Sequence, residues 1–515
     1  MKRVLLGCFA VVLGLASGLW AQGPKACADL TNFKMAGVNM AITKATIVPA
    51  TAGAAPDAAQ PFIYSGPLPA FCRADGVIDE RVGVGGVKYG IRFAVGLPEN
   101  WNHDFLQQGG GGLNGTVQPP VGANAAGDTP GLARGFAVVS TDTGHQSAQV
   151  FDGAFMADQQ AFLDYAYVAI VRVSEAAKRI IAQYYGQPIG HSYYVGCSTG
   201  GREGMLLSQR YPLYFDGIVS GDPAMRTGFS TLGDRWAQVA FNQVAPKGPD
   251  GKPQAAFSEA EKKLIVDELL KQCDAKDGIA DGLIFSSKGC EFDPGALACS
   301  AGRTGSCLAP EKTAALRKAF AGPKDSRGNQ VYPGFPFDTG ITTKGAMPGI
   351  LDSRPGMLPT STATQQDVDA EAAAAPNPLV DTAYTNLSTF SGSGHGGKLL
   401  FYHGMSDAWF SPWDTLEYYL NMAKQNGGLE KVEDWSRIYL VPGMGHCSGG
   451  EATLDSFDLL GAVQNWVEKG IAPDFVIAKG RSFPGRSRPL CAYPKFAHYK
   501  GQGDPEDASN FECRE

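Results

Sequence analysis

Residues 196–200, Gly-Cys-Ser-Thr-Gly, contain the residue types of a hydrolytic nucleophile. The preceding Ser-Tyr-Tyr-Val at 192–195 favours a short buried strand, and the residues through Arg210 have apolar positions at helical spacing. A Gly-x-Ser-x-Gly motif between a strand and a helix makes a sharp turn that exposes the serine hydroxyl. We therefore interpret Ser198 as a nucleophile. Taken alone, the motif would also fit a glycine-rich turn with an incidental serine.

A serine hydroxyl becomes an effective nucleophile when a base accepts its proton and an acid orients that base. In α/β-hydrolases the three residues follow in the order Ser, Asp or Glu, His, each at the carboxyl end of a strand. Asp407 comes just after the strand-like residues 398–402, and His446 just after the strand-like residues 438–441. The sequence therefore predicts a triad of Ser198, Asp407 and His446.

Few other residues compete for these two roles, since the chain has only seven histidines. His403 lies at the same strand end as Asp407 and is the closest competitor for the base. His145 follows a Thr-Asp-Thr-Gly turn and would line the pocket, while Asp142 in that turn is the alternative acid.

Ester hydrolysis also needs hydrogen-bond donors for the oxyanion. The amide after the nucleophile, Thr199, is one expected donor, and a second comes from a loop after an early strand. The four glycines at 109–112 fit this second role, because glycine lets the backbone approach a substrate closely. The sequence does not show which of these four glycines donates its amide hydrogen to the oxyanion.

The elements around these residues predict an α/β fold. Strand-like residues at 89–95, 136–140 and 217–220 alternate with an amphipathic helix at 164–185, which favours a mostly parallel sheet with helices on both faces. Residues 22–80 resemble an irregular lead-in with a few short strands. The alternation of strand-like and helical stretches stops at 223–396. We interpret this segment as a lid inserted into an α/β-hydrolase catalytic domain formed by 22–222 and 397–515.

The amino terminus and the composition limit where the protein works. Residues 1–21 have a basic start, a short apolar run and a possible cleavage point at Ala21, which predicts a signal peptide and a secreted or periplasmic enzyme. No later stretch is long enough to span a bilayer. The net charge of −7, without a basic run, argues against a nucleic-acid partner. The sequence does not set the oligomeric state.

Eleven cysteines, less Cys8 in the signal peptide, leave an even number that we expect to form disulfides in an exported protein. Neighbours in sequence suggest local pairs, and the remaining two, Cys197 and Cys447, flank the proposed nucleophile and base. The suggested pairs are Cys27 with Cys72, Cys273 with Cys290, Cys299 with Cys307, and Cys491 with Cys513. Free buried thiols at 197 and 447 are the alternative to a fifth bond.

Residues 273–283 place three carboxylates within eight positions, between glycine turns. Such carboxylates repel one another unless a cation is bound, and hard oxygen ligands suit Ca²⁺. The predicted calcium ligands are the side chains of Asp274, Asp277 and Asp281 and the carbonyls of Ile279 and Leu283. Within the lid the ion would be structural. A solvated acidic loop without a metal is the alternative.

With these motifs assembled, the chain resembles the tannase and feruloyl esterase family. The matching stretches are 196–204, 274–282, 402–407, 441–450 and 488–494. The resemblance implies a secreted carboxylic-ester hydrolase with a calcium site in its lid and a Cys197–Cys447 disulfide beside the triad. It also implies that the second oxyanion donor lies near Gly112, and that Phe410 packs on an aromatic acyl group. Arg354 is the nearest candidate for an arginine that would hold a substrate carboxylate.

We therefore expect a serine esterase that acts on small aromatic esters such as feruloyl or galloyl esters, through an acyl-enzyme. Three alternatives remain at this point. They are a hydrolase of mono(2-hydroxyethyl) terephthalate-type monoesters, a serine peptidase with the same triad, and a secreted calcium-binding module that has lost catalysis.

Overall fold

A computed structural model describes residues 26–54, 64–300, 305–345, 347–352 and 364–515. The predicted signal peptide at 1–21 and the candidate Arg354 lie outside the described residues. The strands are β1 Met40–Val48, β2 Phe71–Val82, β3 Lys88–Pro98, β4 Phe105–Gln108, β5 Ala137–Thr141, β6 Ser192–Cys197, β7 Gly217–Gly221, β8 Lys398–Gly404, β9 Ser436–Val441, β10 Phe475–Lys479, β11 Ser487–Cys491, β12 Phe496–Tyr499 and β13 Phe511–Arg514.

The α-helices include the ones expected from the periodic stretches, with ends that differ by a few residues. They are α1 Gln159–Leu163, α2 Ala169–Tyr185, α3 Thr199–Arg210, α4 Thr227–Asn242, α5 Glu259–Cys273, α6 Pro310–Ala321, α7 Gln365–Ala374, α8 Ser388–Ser391, α9 Pro412–Gln425, α10 Leu429–Val432 and α11 Leu459–Lys469. A π-helical turn, Asp164–Val168, joins α1 to α2.

Nine strands form one mixed sheet in the order β1-β2-β3-β5-β4-β6-β7-β8-β9. The strands from β5 to β9 pair in parallel, whereas β1, β2 and β3 add an antiparallel extension beside β5. Because β6, β7, β8 and β9 are parallel neighbours, their carboxyl ends lie at one edge of the sheet. The predicted α/β-hydrolase fold class is confirmed, and this edge carries the predicted triad.

Both faces of the sheet are covered, as expected for a parallel sheet. Alternate strand residues such as Tyr194 and Ile218 pack with α2, α3 and α9 on one face. Their neighbours Tyr193 and Val219 pack with α11 on the other face. This explains why the central strands read as nearly continuous apolar runs in the sequence.

The expectation of only short strands in residues 22–80 is wrong. β1 has nine residues and β2 has twelve. Along β2, buried Cys72 and Ala74 alternate with partly exposed Arg73 and Asp75. An outer antiparallel strand with one solvated face carries polar residues at every second position, and these interrupt the apolar run that marks a buried strand.

Residues 222–397 contribute no strand to the nine-stranded sheet within the part of this segment that the structure describes. Helices α4, α5 and α6 form a separate hydrophobic cluster there, with Ile265, Leu269 and Leu316 at its centre. Ala408, next to Asp407, belongs to the same cluster. The inserted segment therefore packs directly against the turn that carries the proposed acid.

After α11, the chain adds two small hairpins, β10–β11 and β12–β13. No helix in the described ranges is both long and apolar enough to cross a bilayer.

Candidate active site

Ser198 lies between the end of β6 and the first residue of α3. Its backbone angles, φ 64° and ψ −123°, are in a region that non-glycine residues rarely adopt and that is typical of strained functional turns. The turn is tight because a Cβ on Gly196 would lie 2.6 Å from the carbonyl oxygen of Gly200. The backbone amide of Ser198 donates to Gly221 at the end of β7, 3.0 Å away, which holds the turn against the sheet.

Asp407 and His446 meet at the same edge, from the turns after β8 and β9. The Nδ1 atom of His446 lies 2.7 Å from Oδ2 of Asp407, and both side chains are almost fully buried. The other carboxylate oxygen, Oδ1, accepts the backbone amides of Trp409 and Phe410 at 2.8 and 3.1 Å. The carboxylate is thereby fixed in place. With Nδ1–H donated to it, Nε2 keeps its lone pair.

Two atoms at this edge have no hydrogen-bond partner among the described residues. They are Nε2 of His446, which is buried, and the hydroxyl of Ser198. A disulfide joins their neighbours Cys197 and Cys447, whose Cα atoms are 5.8 Å apart across 250 positions of sequence. Closing so long a loop contributes about 5 kcal/mol in the chain-entropy model. The bond also ties the Ser198 turn after β6 to the turn after β9 that carries His446.

The four other cysteine pairs suggested by the sequence are also bonded in the structure. The bonds are Cys27–Cys72, Cys273–Cys290, Cys299–Cys307 and Cys491–Cys513. Each of these bonds closes a loop much shorter than that of Cys197–Cys447.

In the Asp407–His446 pair, the surrounding charges favour an ionised carboxylate and raise the basicity of the imidazole. Burial raises the pKa of Asp407, but the adjacent His446 and His403 rings outweigh burial, so the pKa stays below its usual range. For His446 the balance has the opposite sign. Burial lowers its pKa, and the carboxylate of Asp407 raises it by more.

The glycine loop at 109–112 faces the amino end of α3. The amides of Gly109 and Gly110 donate to Val195 and Glu203, so they are already used. The amides of Gly111, Gly112 and Thr199 donate no hydrogen bond within the described chain. The Thr199 hydroxyl donates to the Gly112 carbonyl and ties the two turns together. These three amides therefore remain available as donors, and the choice of Gly112 over Gly111 rests on the family resemblance.

Glu203 is a supporting residue that the sequence reasoning missed. It is 1 % exposed and accepts hydrogen bonds from Asn114 Nδ2 at 2.7 Å, from the hydroxyl of Tyr194 at 2.8 Å and from the amide of Gly110 at 3.2 Å. One buried carboxylate thus clamps the glycine loop onto β6 and α3. A glutamate on a helix gives no local sequence signal for such a role.

Asp338, from the inserted segment, was also missed. Its buried carboxylate accepts the Ser406 hydroxyl and the Gly443 amide, each at 2.7 Å. These partners lie in the turns that carry Asp407 and His446. Asp338 therefore links residues 222–397 to the turns that carry Asp407 and His446.

Aromatic rings surround His446. The ring of Phe410, which the resemblance implicated, lies 5.2 Å from the His446 ring, and that of Trp409 lies 4.9 Å from it. Phe151, on a loop beside Gly112, contacts Trp409 edge to face at 5.6 Å although 62 % of its surface is exposed. Trp409 and Phe151 were not singled out from the sequence, and only the position of Trp409 beside the acid could have indicated it.

Two of the alternative residues, Asp142 and His145, make contacts that do not involve Asp407 or His446. Asp142 accepts the amides of Arg92 and Gly144, and so holds its own turn together. His145 stacks on Phe155 at 3.7 Å, and burial lowers its pKa to about 4. His403, in contrast, lies beside the proposed acid, with its Nε2 3.3 Å from Oδ2 of Asp407.

The acidic loop holds Asp274, Asp277 and Asp281 close in sequence, but their oxygens do not form a set within 4.8 Å of one another. Oδ1 of Asp277 is buried without a partner among the described residues. Burial and the neighbouring acids raise the pKa of Asp277 to about 7. Asp281 bonds Arg488, and Oδ2 of Asp281 lies 3.7 Å from Arg486. These arginine contacts were not anticipated.

Known proteins match the chain over most of its length. The family model described as "Tannase and feruloyl esterase" matches residues 72–369 and 349–514. The mono(2-hydroxyethyl) terephthalate hydrolase of Piscinibacter sakaiensis is 34 % identical, covering 89 % of this chain and 87 % of that protein. A probable feruloyl esterase B-2 of Aspergillus terreus is 32 % identical over 82 % of this chain and 83 % of its own.

Solved structures agree with these matches. The crystal structure of feruloyl esterase B from Aspergillus oryzae superposes with a TM-score of 0.76 at 27 % identity, covering 95 % of this chain and 99 % of that one. The tannin acyl hydrolase from Aspergillus niger has the same fold, with a TM-score of 0.71 at 21 % identity over 93 % of this chain and 92 % of its own.

Proposed function

The chain belongs to the tannase and feruloyl esterase family and is a carboxylic ester hydrolase, and we propose that it cleaves small aromatic acid esters, such as feruloyl or galloyl esters, with Ser198, His446 and Asp407. The observation that carries the proposal is the buried 2.7 Å contact between His446 Nδ1 and Asp407. It leaves Nε2 without a partner, on a histidine that the disulfide holds beside the strained Ser198 turn.

In the proposed mechanism, the Ser198 hydroxyl attacks the ester carbonyl carbon while Nε2 of His446 accepts its proton. The amides of Gly112 and Thr199 stabilise the oxyanion, each contributing about 3 kcal/mol. Collapse of the tetrahedral intermediate expels the alcohol, which takes the proton from His446, and leaves an acyl-serine. Water then attacks the acyl-serine with the same proton transfers, which releases the acid and restores Ser198. Asp407 stabilises the imidazolium formed in both halves.

The aromatic substrate class is supported by the rings around His446. Phe410 and Trp409 each lie within 5.2 Å of the imidazole ring, and such rings favour edge-to-face or stacked contact with another aromatic group. Relatives named as feruloyl esterases point the same way. The similarity to the Piscinibacter enzyme supports a second candidate substrate, a terephthalate monoester.

A panel of esters tests the substrate class. On one preparation, kcat/KM for methyl ferulate or methyl gallate should exceed that for methyl butyrate by about 5- to 150-fold, since an added apolar contact in a pocket contributes about 1–3 kcal/mol. Phe410→Ala should reduce this ratio, whereas Phe475→Ala on the exposed β10 should not. A higher value for mono(2-hydroxyethyl) terephthalate would favour the second candidate. Faster cleavage of the matching amide would indicate a peptidase.

We also propose that the acidic loop binds Ca²⁺ in a structural role. The unpartnered buried oxygen of Asp277 fits a hard cation, with the other two carboxylates of the loop, Asp274 and Asp281, and the carbonyls of Ile279 and Leu283 as further ligands. The ion would neutralise charge that Arg486 and Arg488 offset only on the Asp281 side. Residues 223–396 would form the lid that carries this site.

Chelation should therefore lower the melting temperature and have little effect on the rate of the chemical step. Removal of Ca²⁺ with EGTA should reduce the melting temperature by several degrees, because losing a ligand present at about 100 times its Kd costs about 2.7 kcal/mol. The rate of the chemical step, measured below that temperature, should change little. Asp277→Asn should abolish the calcium dependence, while Asp267→Asn, at an exposed position of α5, should preserve it. Loss of turnover with the fold intact would contradict a structural ion.

We propose that the enzyme works in a secreted or periplasmic compartment. Five disulfides among the described residues require oxidising conditions to form and persist. The predicted signal peptide at 1–21 agrees with this location.

A further inference from the structure

Behind Asp407 lies a second buried acid–imidazole pair, formed by Asp222 and His403. Nε2 of His403 lies 3.3 Å from Oδ2 of Asp407 and 3.6 Å from Oδ1 of Asp222, and all three side chains are fully buried. His403 therefore sits between two carboxylates. The mechanism proposed above uses only one of them.

The backbone holds the pair in place. Asp222 is the residue after β7, with a φ of 36° that side chains rarely adopt, and its Oδ1 accepts the Gly404 amide at 2.9 Å. Its Oδ2 lies 3.5 Å from Sγ of Cys197, beside the nucleophile. A strained residue with a buried carboxylate is costly unless that charge is compensated.

His403 can supply the compensating charge. Its Nε2 lies 3.0 Å from the carbonyl oxygen of Phe410, which only accepts, so this nitrogen carries a hydrogen. Its Nδ1 lies 2.8 Å from the Thr415 hydroxyl, which can accept a second one. Burial lowers the pKa of His403, but the carboxylates of Asp222 and Asp407 raise it by more. Burial raises the pKa of Asp222, and His403 opposes this rise, so each member of the pair favours the charged form of the other.

The other ionisable side chains around the pair have partners of their own. Asp414, on α9, is buried and paired with Arg226. Asp338 approaches from the inserted segment and accepts Ser406 and Gly443. His446 is on the far side of Asp407, 2.7 Å from it. Of the two carboxylates at His403, Asp407 also contacts His446, whereas Asp222 has His403 as its only basic neighbour within 4 Å among the described residues.

We propose that His403 is a positioning residue, an imidazolium held by Asp222, which fixes the carboxylate of Asp407 and sets the basicity of His446. This inference rests on the proposed function, because it assigns His446 as the base. Neither residue of the pair touches the substrate. Their effect on the rate passes through Asp407 and His446.

The two members of the pair act on His446 with opposite signs. A positive charge on His403 opposes protonation of His446, whereas a negative charge on Asp222 favours it. Because activity needs neutral His446, the acid limb of the kcat/KM profile reports the pKa of His446 in the free enzyme. Removing the positive charge should move this limb to higher pH, and removing the negative charge should move it to lower pH.

The test is the pH profile of kcat/KM for methyl ferulate with three variants. His403→Gln should move the acid limb up by about one pH unit, Asp222→Asn should move it down, and the double variant should return it close to the wild-type position. His395→Gln, a histidine bonded to the Phe215 carbonyl far from the cluster, should leave it unchanged. Lower kcat without any shift of the limb would overturn the inference and leave a purely structural role.

A measurement on the unaltered protein covers the case in which these variants fail to fold. In ¹⁵N-histidine NMR at about pH 8, His403 should show two protonated ring nitrogens, while His446 shows one. A neutral His403 at that pH would overturn the inference. The proposed function fails by a different result, which is full ester hydrolysis by His446→Ala.

Discussion

Replacement of Ser198 by alanine is expected to lower kcat/KM for an aromatic ester by about 10⁵- to 10⁶-fold, close to the loss seen when a serine nucleophile is removed. The reason is that an alanine side chain has no atom that can form the acyl-enzyme, while the oxyanion donors and the substrate contacts remain. The residual rate over water, about 10³-fold, should come from those contacts. Steady-state kinetics on methyl ferulate measure the effect.

A matched control separates chemistry from folding. Ser393→Ala, at an exposed position before β8, should retain wild-type kinetics and melting temperature. Ser198→Ala itself should keep the wild-type circular dichroism, since the Ser198 hydroxyl makes no hydrogen bond within the described chain. A Ser198→Ala enzyme with more than about one hundredth of the wild-type activity would refute the assignment of the nucleophile.

The second large effect is expected for Asp407→Asn, with a loss of about 10⁴-fold in kcat. An asparagine that keeps its oxygen toward the Trp409 and Phe410 amides would turn its NH₂ group toward His446 Nδ1. The imidazole would then carry its hydrogen on Nε2 and could not accept the proton of Ser198. The loss should be mainly in kcat, with a much smaller change in KM.

Asp142→Asn provides the comparison, because Asp142 was the alternative acid. It should lower stability, since its carboxylate holds the Arg92 and Gly144 amides, but it should leave kcat of the folded enzyme within about tenfold of wild type. If Asp142→Asn lost more activity than Asp407→Asn at equal folded fraction, the acid would have been assigned to the wrong turn.

The sequence was most informative where function depends on short local motifs. The turns after β6, β8 and β9 each follow a buried strand and are rich in glycine. Both features can be recognised within a short stretch of sequence. The parallel order of β6 to β9 then brings the three turns to one edge. The residues beside Ser198 and His446, Cys197 and Cys447, form a disulfide for the same reason.

Contacts between distant segments could not be recognised from short motifs in the sequence. Glu203 reads as an ordinary helix residue, yet it clamps a loop about ninety positions away. His403 was considered only as a rival base, whereas the structure places it behind Asp407, next to Asp222. Arg486 and Arg488 reach Asp281 from the carboxyl-terminal hairpins. Each of these depends on packing that periodicity and spacing do not encode.

Stoichiometric labelling with a fluorophosphonate, read by peptide mass spectrometry, tests most directly whether Ser198 is the nucleophile. We expect one adduct per chain on the peptide that contains Ser198, no adduct in Ser198→Ala, and much slower labelling in His446→Ala. An unlabelled Ser198 in an enzyme that hydrolyses methyl ferulate, or an adduct on a different serine, would contradict this assignment.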